Sequence, residues 1–158
     1  MVMAKKILIM EDEDTLANMY KLKFEKSGYQ VILADNGEAG LVLVKEEKPD
    51  LVLLDIIMPK IDGFVVLERM KQDQEIKNIP VFMLTNLGQA EDIEKGKDLG
   101  ANGYYVKANL TPGELVIKIN QFCNIKTLLP AVPYLLFQIP NYLLIFLFQS
   151  HLHKKFSA

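Results

Sequence analysis

The chain has 158 residues, half of them apolar and about a quarter charged, enough for one globular domain with an appended segment but not for a second full domain. Its formal charge of −2 conceals an asymmetry, since all 20 Asp and Glu lie at or before Glu114 and the only lysines beyond Lys118 are Lys126, Lys154 and Lys155. An acidic front without a Lys/Arg cluster argues against direct nucleic-acid binding, which rests on phosphate contacts, and a single cysteine, Cys123, rules out an internal disulfide.

In chain order, the amino terminus MVMAKKILIM places lysines before an apolar run too short for a signal peptide, so a reducing, cytoplasmic setting is expected. Apolar runs of strand length follow at Ile7–Met10, Val31–Ala34, Leu51–Leu54, Val81–Leu84 and Tyr104–Val106. They predict five buried strands. Between them lie segments of helical spacing, with Leu16, Met19, Tyr20 and Phe24 as core of the first, Ala39, Leu41, Val42 and Val44 in the second, and Phe64, Leu67 and Met70 in the third.

The punctuation agrees with this alternation. Asp14 is placed to cap the first helix, Ser27-Gly28 to end it, Asn36-Gly37 to turn into the second and Pro49 to close it. Pro80 precedes the fourth strand, and Thr111-Pro112 opens a last helix with proline at its first position. Continuous apolar strands alternating with helices predict a doubly wound α/β fold, a five-stranded parallel sheet with helices on both faces.

Four polar residues stand at or just beyond the carboxyl ends of four runs: Asp12 after ILIM, Asp55 after LVLL, Thr85 after VFML and Lys107 after YYV. In a parallel sheet these ends share the edge where such folds bind ligands. Carboxylates from Glu11, Asp12 and Asp55 crowded there would raise one another's pKa unless a cation joined them. With oxygen donors and no His or Cys nearby, the fitting ion is Mg²⁺. Asp55 is then placed to attack phosphorus, with Lys107 as a second cation and Thr85 as a hydroxyl donor.

The acidic pair, the loop Asp55-Ile-Ile-Met-Pro-Lys-Ile-Asp-Gly, Thr85 and Lys107 resemble, over residues ~5–122, the receiver domains of bacterial two-component response regulators. The resemblance implies the flavodoxin-like strand order 2-1-3-4-5. It makes Asp55 the phosphoacceptor, Glu11, Asp12, Asp55 and the Ile57 carbonyl the Mg²⁺ site, and Thr85 and Tyr104 the switch. Met58, Pro59 and Gly63 would shape the loop. The implied partners are a sensor histidine kinase or a histidine phosphotransfer protein of a phosphorelay, and a downstream protein target. Such a domain catalyses only its own phosphorylation and dephosphorylation.

Departures from the family pattern sharpen the expectations. Ala108 follows Lys107 where the family has proline; a cis bond to alanine costs ~3 kcal/mol against ~0.5–1 for proline, so either the fold holds a strained cis Lys107-Ala108 bond or the loop runs trans with Lys107 less firmly placed, and the cost favours the second. Glu11 in place of aspartate suits a water-bridged metal contact and weaker metal binding. Ile57 and Leu87, two residues beyond Asp55 and Thr85, are apolar where polar side chains help orient water, which predicts slow self-dephosphorylation.

Two other readings compete. A degenerate receiver would bind partners without phosphorylation. A haloacid-dehalogenase-like phosphatase is echoed by Asp12-Glu13-Asp14-Thr15-Leu16, but its threonine comes one residue early and its later acidic pair is missing.

The receiver is expected to span residues 1–124. Residues 125–158 form an apolar, proline-containing extension of unknown role, with no Asp, Glu, Lys or Arg from Thr127 to Ser150. Its length suits a membrane span, but Pro130, Pro133 and Pro140 interrupt it. A dimer-forming or partner-binding surface, and a segment not selected for function, are the alternatives.

Overall fold

The computed structural model describes residues 5–128, with side chains through 124. Five strands, β1 (Lys6–Met10), β2 (Gln30–Ala34), β3 (Leu51–Leu54), β4 (Val81–Thr85) and β5 (Gly103–Val106), form one parallel sheet in the order β2-β1-β3-β4-β5. The helices are α1 (Asp14–Lys26), α2 (Gly37–Glu47), α3 (Gly63–Gln72), α4 (Ala90–Asp98) and α5 (Pro112–Leu128), and a 3₁₀ turn covers Lys107–Asn109. The expected doubly wound topology is therefore present. The chain divides after Asn120 into two units, and the sheet, α1 to α4 and the candidate site all lie in the first.

Alternation along the inner strands assigns the core. Leu8, Met10, Val52, Leu54, Val81 and Met83 cluster with Val44 of α2 and Phe64, Val66, Leu67 and Met70 of α3. Ile7, Ile9, Leu51 and Leu53 point the other way by the two-residue period, and they too are buried. With apolar side chains on both faces, β1 and β3 cannot slip in register without moving every side chain to the opposite layer.

Most of the local signals are obeyed. Asn36 caps α2 by accepting a hydrogen bond from the Ala39 amide at 2.9 Å. Thr111 and Glu114 form a reciprocal box before α5, the Thr111 amide donating to Glu114 Oε2 at 2.7 Å and the Glu114 amide to Thr111 Oγ1 at 3.2 Å.

Four expectations need correction. Asp14 does not cap α1: Glu13 occupies the cap position without a side-chain bond, and Asp14 is the first helical residue, its carbonyl accepting from Asn18 Nδ2. Met19 is 41% exposed and is not core, because Ala17 takes the inward position with Tyr20 and Phe24. In α2, Val42 is 54% exposed, and the inward face is Gly37, Gly40 and Val44, which lets the helix lie close to the sheet. β5 is only half-buried, since it is an edge strand with one neighbour. The 125–158 extension lies almost wholly outside the described residues, so its membrane-span reading is not addressed by the structure. Among the described residues no helix is long and apolar enough to cross a membrane.

Candidate functional site

The site grows from the carboxyl edge of the sheet. β1 ends at Met10 and delivers Glu11 and Asp12; β3 ends at Leu54 and delivers Asp55; β4 ends on Thr85; and β5 runs directly into Lys107. Ladder bonds extend past the strand ends, the Glu11 amide donating to the Ala34 carbonyl and the Asp55 amide to the Met10 carbonyl. These bonds hold the carboxylate-bearing backbones at fixed heights on the edge.

Gly63 sets the far side of the Asp55 loop. Its amide donates to the Ile56 carbonyl at 2.9 Å, and a Cβ at this position would stand 2.2 Å from the Asp55 carbonyl oxygen. A contact that short admits only glycine. Asp62 then caps α3 by accepting from the Val65 amide.

Asp55 and Glu11 are buried, and Asp12 beside them is exposed. Carboxylate oxygens of the three lie within 4.8 Å of one another. Lys107 Nζ sits 2.5 Å from Asp55 Oδ2 and 2.6 Å from Glu11 Oε2, its side chain only 8% exposed. Asp55 Oδ1 accepts from the Ile56 amide at 2.6 Å and the Ile57 amide at 3.3 Å.

The electrostatics follow from this packing. Burial, reinforced by the Asp55 charge, raises the Glu11 pKa above the ordinary carboxylate value although Lys107 pulls it down. Burial also works against the Lys107 charge, but its bonds to Asp55 and Glu11 outweigh that and hold the ammonium above the usual lysine value. Lys107 therefore stays charged and is the internal cation of the cluster.

This corrects one expectation. The Lys107–Ala108 peptide is trans, in line with the sequence, because the described chain has no cis bond. Lys107 is nonetheless firmly placed, since the 3₁₀ turn Lys107–Asn109 carries the chain away while the side chain is clamped by two carboxylates.

Thr85 is fully buried, and its Oγ1 accepts from the Leu87 amide at 3.3 Å. Tyr104, half-buried, donates its hydroxyl to the Leu87 carbonyl at 2.9 Å. Burial, with the charges of Asp92 and Asp55 behind it, pushes the Tyr104 phenol up to about 12. The backbone of Leu87 thus links the two switch candidates, a role that no side-chain pattern could reveal. The Ile57 side chain is 60% exposed and stands outside the cluster, while its amide faces Asp55.

The donor set fits a hard divalent cation, with three oxygen-bearing carboxylates and neither nitrogen nor sulfur ligands. The model of the response regulator receiver domain matches residues 7–120. The chain belongs to that family. Receiver domains use Mg²⁺, and the acidic cluster here is suited to it.

Among relatives of this receiver, PilH of Pseudomonas aeruginosa is 43% identical over 104 residues, 65% of this chain and 84% of PilH. The DNA-binding dual master transcriptional regulator RpaA of Synechocystis is 40% identical over 102 residues, 65% of this chain but 42% of RpaA. The chain spans less than half the length of the transcriptional regulators among these relatives. Of solved structures, a CheY-like receiver domain protein of Methanospirillum hungatei superposes with TM-score 0.72 at 27% identity, covering 78% of this chain and 97% of that one. The chemotaxis response regulator CheY4 of Vibrio cholerae gives TM-score 0.70 at 26% identity, covering 75% and 98%. Membership of the receiver family sets aside the haloacid-dehalogenase-like reading.

Proposed function

We propose that Asp55 accepts a phosphoryl group from the phosphohistidine of a sensor kinase or phosphotransfer protein, in a Mg²⁺-dependent step, and that the acyl phosphate shifts the receiver between two surfaces. The observation that carries this reading is the clamp of Lys107 on Asp55 beside the Glu11–Asp12 carboxylates.

In the step, an Asp55 carboxylate oxygen forms the P–O bond as the P–N bond to the donor imidazole breaks, and the imidazole keeps the electron pair. Lys107 has three N–H donors, of which Asp55 and Glu11 take one each, so the third is available to a phosphoryl oxygen. Thr85 uses its oxygen as acceptor for Leu87, which leaves its O–H to donate. Lys107 is in place before charge develops, which is how such a group lowers a barrier, and the Thr85 hydroxyl turns onto the phosphoryl oxygen as it arrives. Glu11, Asp12, Asp55 and the Ile57 carbonyl would hold Mg²⁺, whose contribution when bound is to neutralise phosphoryl oxygens.

When the Thr85 hydroxyl turns to the phosphoryl group, its Leu87 contact is weakened, and the Tyr104 anchor on the same residue weakens with it. A downstream protein target would read that change. DNA binding belongs to relatives such as RpaA by name; in this acidic receiver we assign recognition to protein partners, with no direct nucleic-acid contact. A homodimer is a further form the switched surface could take. The degenerate-receiver reading is weakened by Lys107, which reaches Asp55 without the family proline.

Incubation of the full chain with acetyl phosphate or a phosphohistidine donor should add one phosphate by intact mass, only with Mg²⁺, and Asp55→Asn should abolish it. Equal labelling of Asp55→Asn, or none of the wild type, would sink the assignment.

A further inference from the structure

α4 reads AEDIEKGKD, and its single buried residue is Gly96. A glycine inside a helix is a cost, because it gives up more backbone freedom than alanine and adds no packing. The surroundings of Gly96 show what offsets that cost. A Cβ built there would meet Tyr104 Cδ2 at 3.0 Å and Cε2 at 3.3 Å, whereas the next neighbour, Met83 Cγ, would lie at an ordinary 3.6 Å. Tyr104 alone stands in the way; without its ring, alanine would fit.

We propose that Gly96 is a positioning residue for Tyr104: the bare backbone of α4 at Gly96 is the seat that lets the ring lie against the helix with its hydroxyl on the Leu87 carbonyl. The ring lies over the space a Gly96 side chain would fill, and its hydroxyl is held by the hydrogen bond at Leu87, which is three residues before α4 begins. Side-chain size at position 96 therefore sets how strongly this pose of the ring is favoured. A β-carbon there crowds the ring and biases it away from the Leu87 carbonyl without any phosphate. That this pose matters for signalling rests on the reading of Asp55 as acceptor; the steric coupling does not.

The test is a double-mutant comparison in the full chain. Tyrosine-ring NMR, with Tyr104→Phe to assign the signal, should show the Tyr104 ring shifted in Gly96→Ala, and amide exchange across α4 should quicken. Thermal unfolding should then show Gly96→Ala neutral or destabilising in the wild-type background but stabilising by a few degrees in the Tyr104→Ala background, where helix propensity acts alone. An unshifted ring signal, or the same melting shift in both backgrounds, overturns the proposal. Should Gly96→Ala fail to fold, rescue by Tyr104→Ala supports the steric cause and failure of both overturns it. Mg²⁺-dependent labelling of the wild type, run in parallel, reports separately on Asp55.

Discussion

At Asp55 both carboxylate oxygens are engaged, Oδ1 by the Ile56 and Ile57 amides and Oδ2 by Lys107, so the side chain is oriented before any donor arrives. Hydrolysis of an acyl phosphate there needs a water aligned on the phosphorus, and alignment needs a polar partner. Ile57 is the exposed neighbour, and its side chain offers no donor or acceptor. An amide at that position would supply one hydrogen bond of about 1 kcal/mol, which is roughly a fivefold change in rate. Ile57→Asn is thus expected to shorten the phosphoryl lifetime by about that factor, followed by decay of the phosphorylated mass in Mg²⁺ after removal of the donor. A wild-type half-life of only seconds would contradict the idea. Asp12, Asp55, Thr85 and Lys107 are legible in the sequence because each stands at or just beyond the end of an apolar run. The clamp of Lys107 on Glu11 is not, since it joins residues at opposite ends of the domain's sequence.

At the scale of elements, the contrast between β3 and β5 shows what pattern can and cannot tell. Leu51–Leu54 is buried on both faces and its bounds coincide with the apolar run. Tyr104–Val106 reads much the same in sequence but lies at an edge, and edge position follows from strand order rather than composition. Helix faces escape the pattern for a related reason: Gly40 and Ala17 sit inward where space is short, and larger neighbours such as Val42 and Met19 turn outward. β5 also carries a pH signature. Burial pushes the Tyr105 phenol up to about 12, against ~10 in an unfolded chain. A group with a raised folded-state pKa contributes stability that is complete below its unfolded value and is lost as the pH climbs through the folded one. Stability should therefore fall as the pH rises from about 10 toward 12, with Lys107 acting in the same direction. Urea unfolding across that window should show a shallower decline for Tyr105→Phe than for wild type, and equal slopes would refute the contribution.

For the whole molecule, the question is whether residues 125–158 serve the receiver. The family match ends at residue 120, and the chain divides after Asn120. Every residue that we assign to the site lies at Lys107 or earlier, and the strands that place them are complete by Val106. The site as described therefore draws on nothing beyond Lys107. The extension also changes the charge balance. Removing it takes away Lys126, Lys154 and Lys155 and no acid, which leaves the remainder three units more negative than the −2 of the full chain. A more negative chain without the apolar stretch Thr127–Ser150 should associate less. Truncation after Asn124 is accordingly expected to keep a single cooperative unfolding transition and the Mg²⁺-dependent labelling of Asp55, and to raise solubility. Unfolding by urea, intact mass after acetyl phosphate, and sedimentation of both chains at matched concentration check the three parts. If the truncated chain loses its cooperative transition, the extension is part of the folded core and the division proposed at residues 124 and 125 is wrong. If folding and labelling persist while a dimer of the full chain is lost, the extension is an association element carried by a receiver that is complete without it.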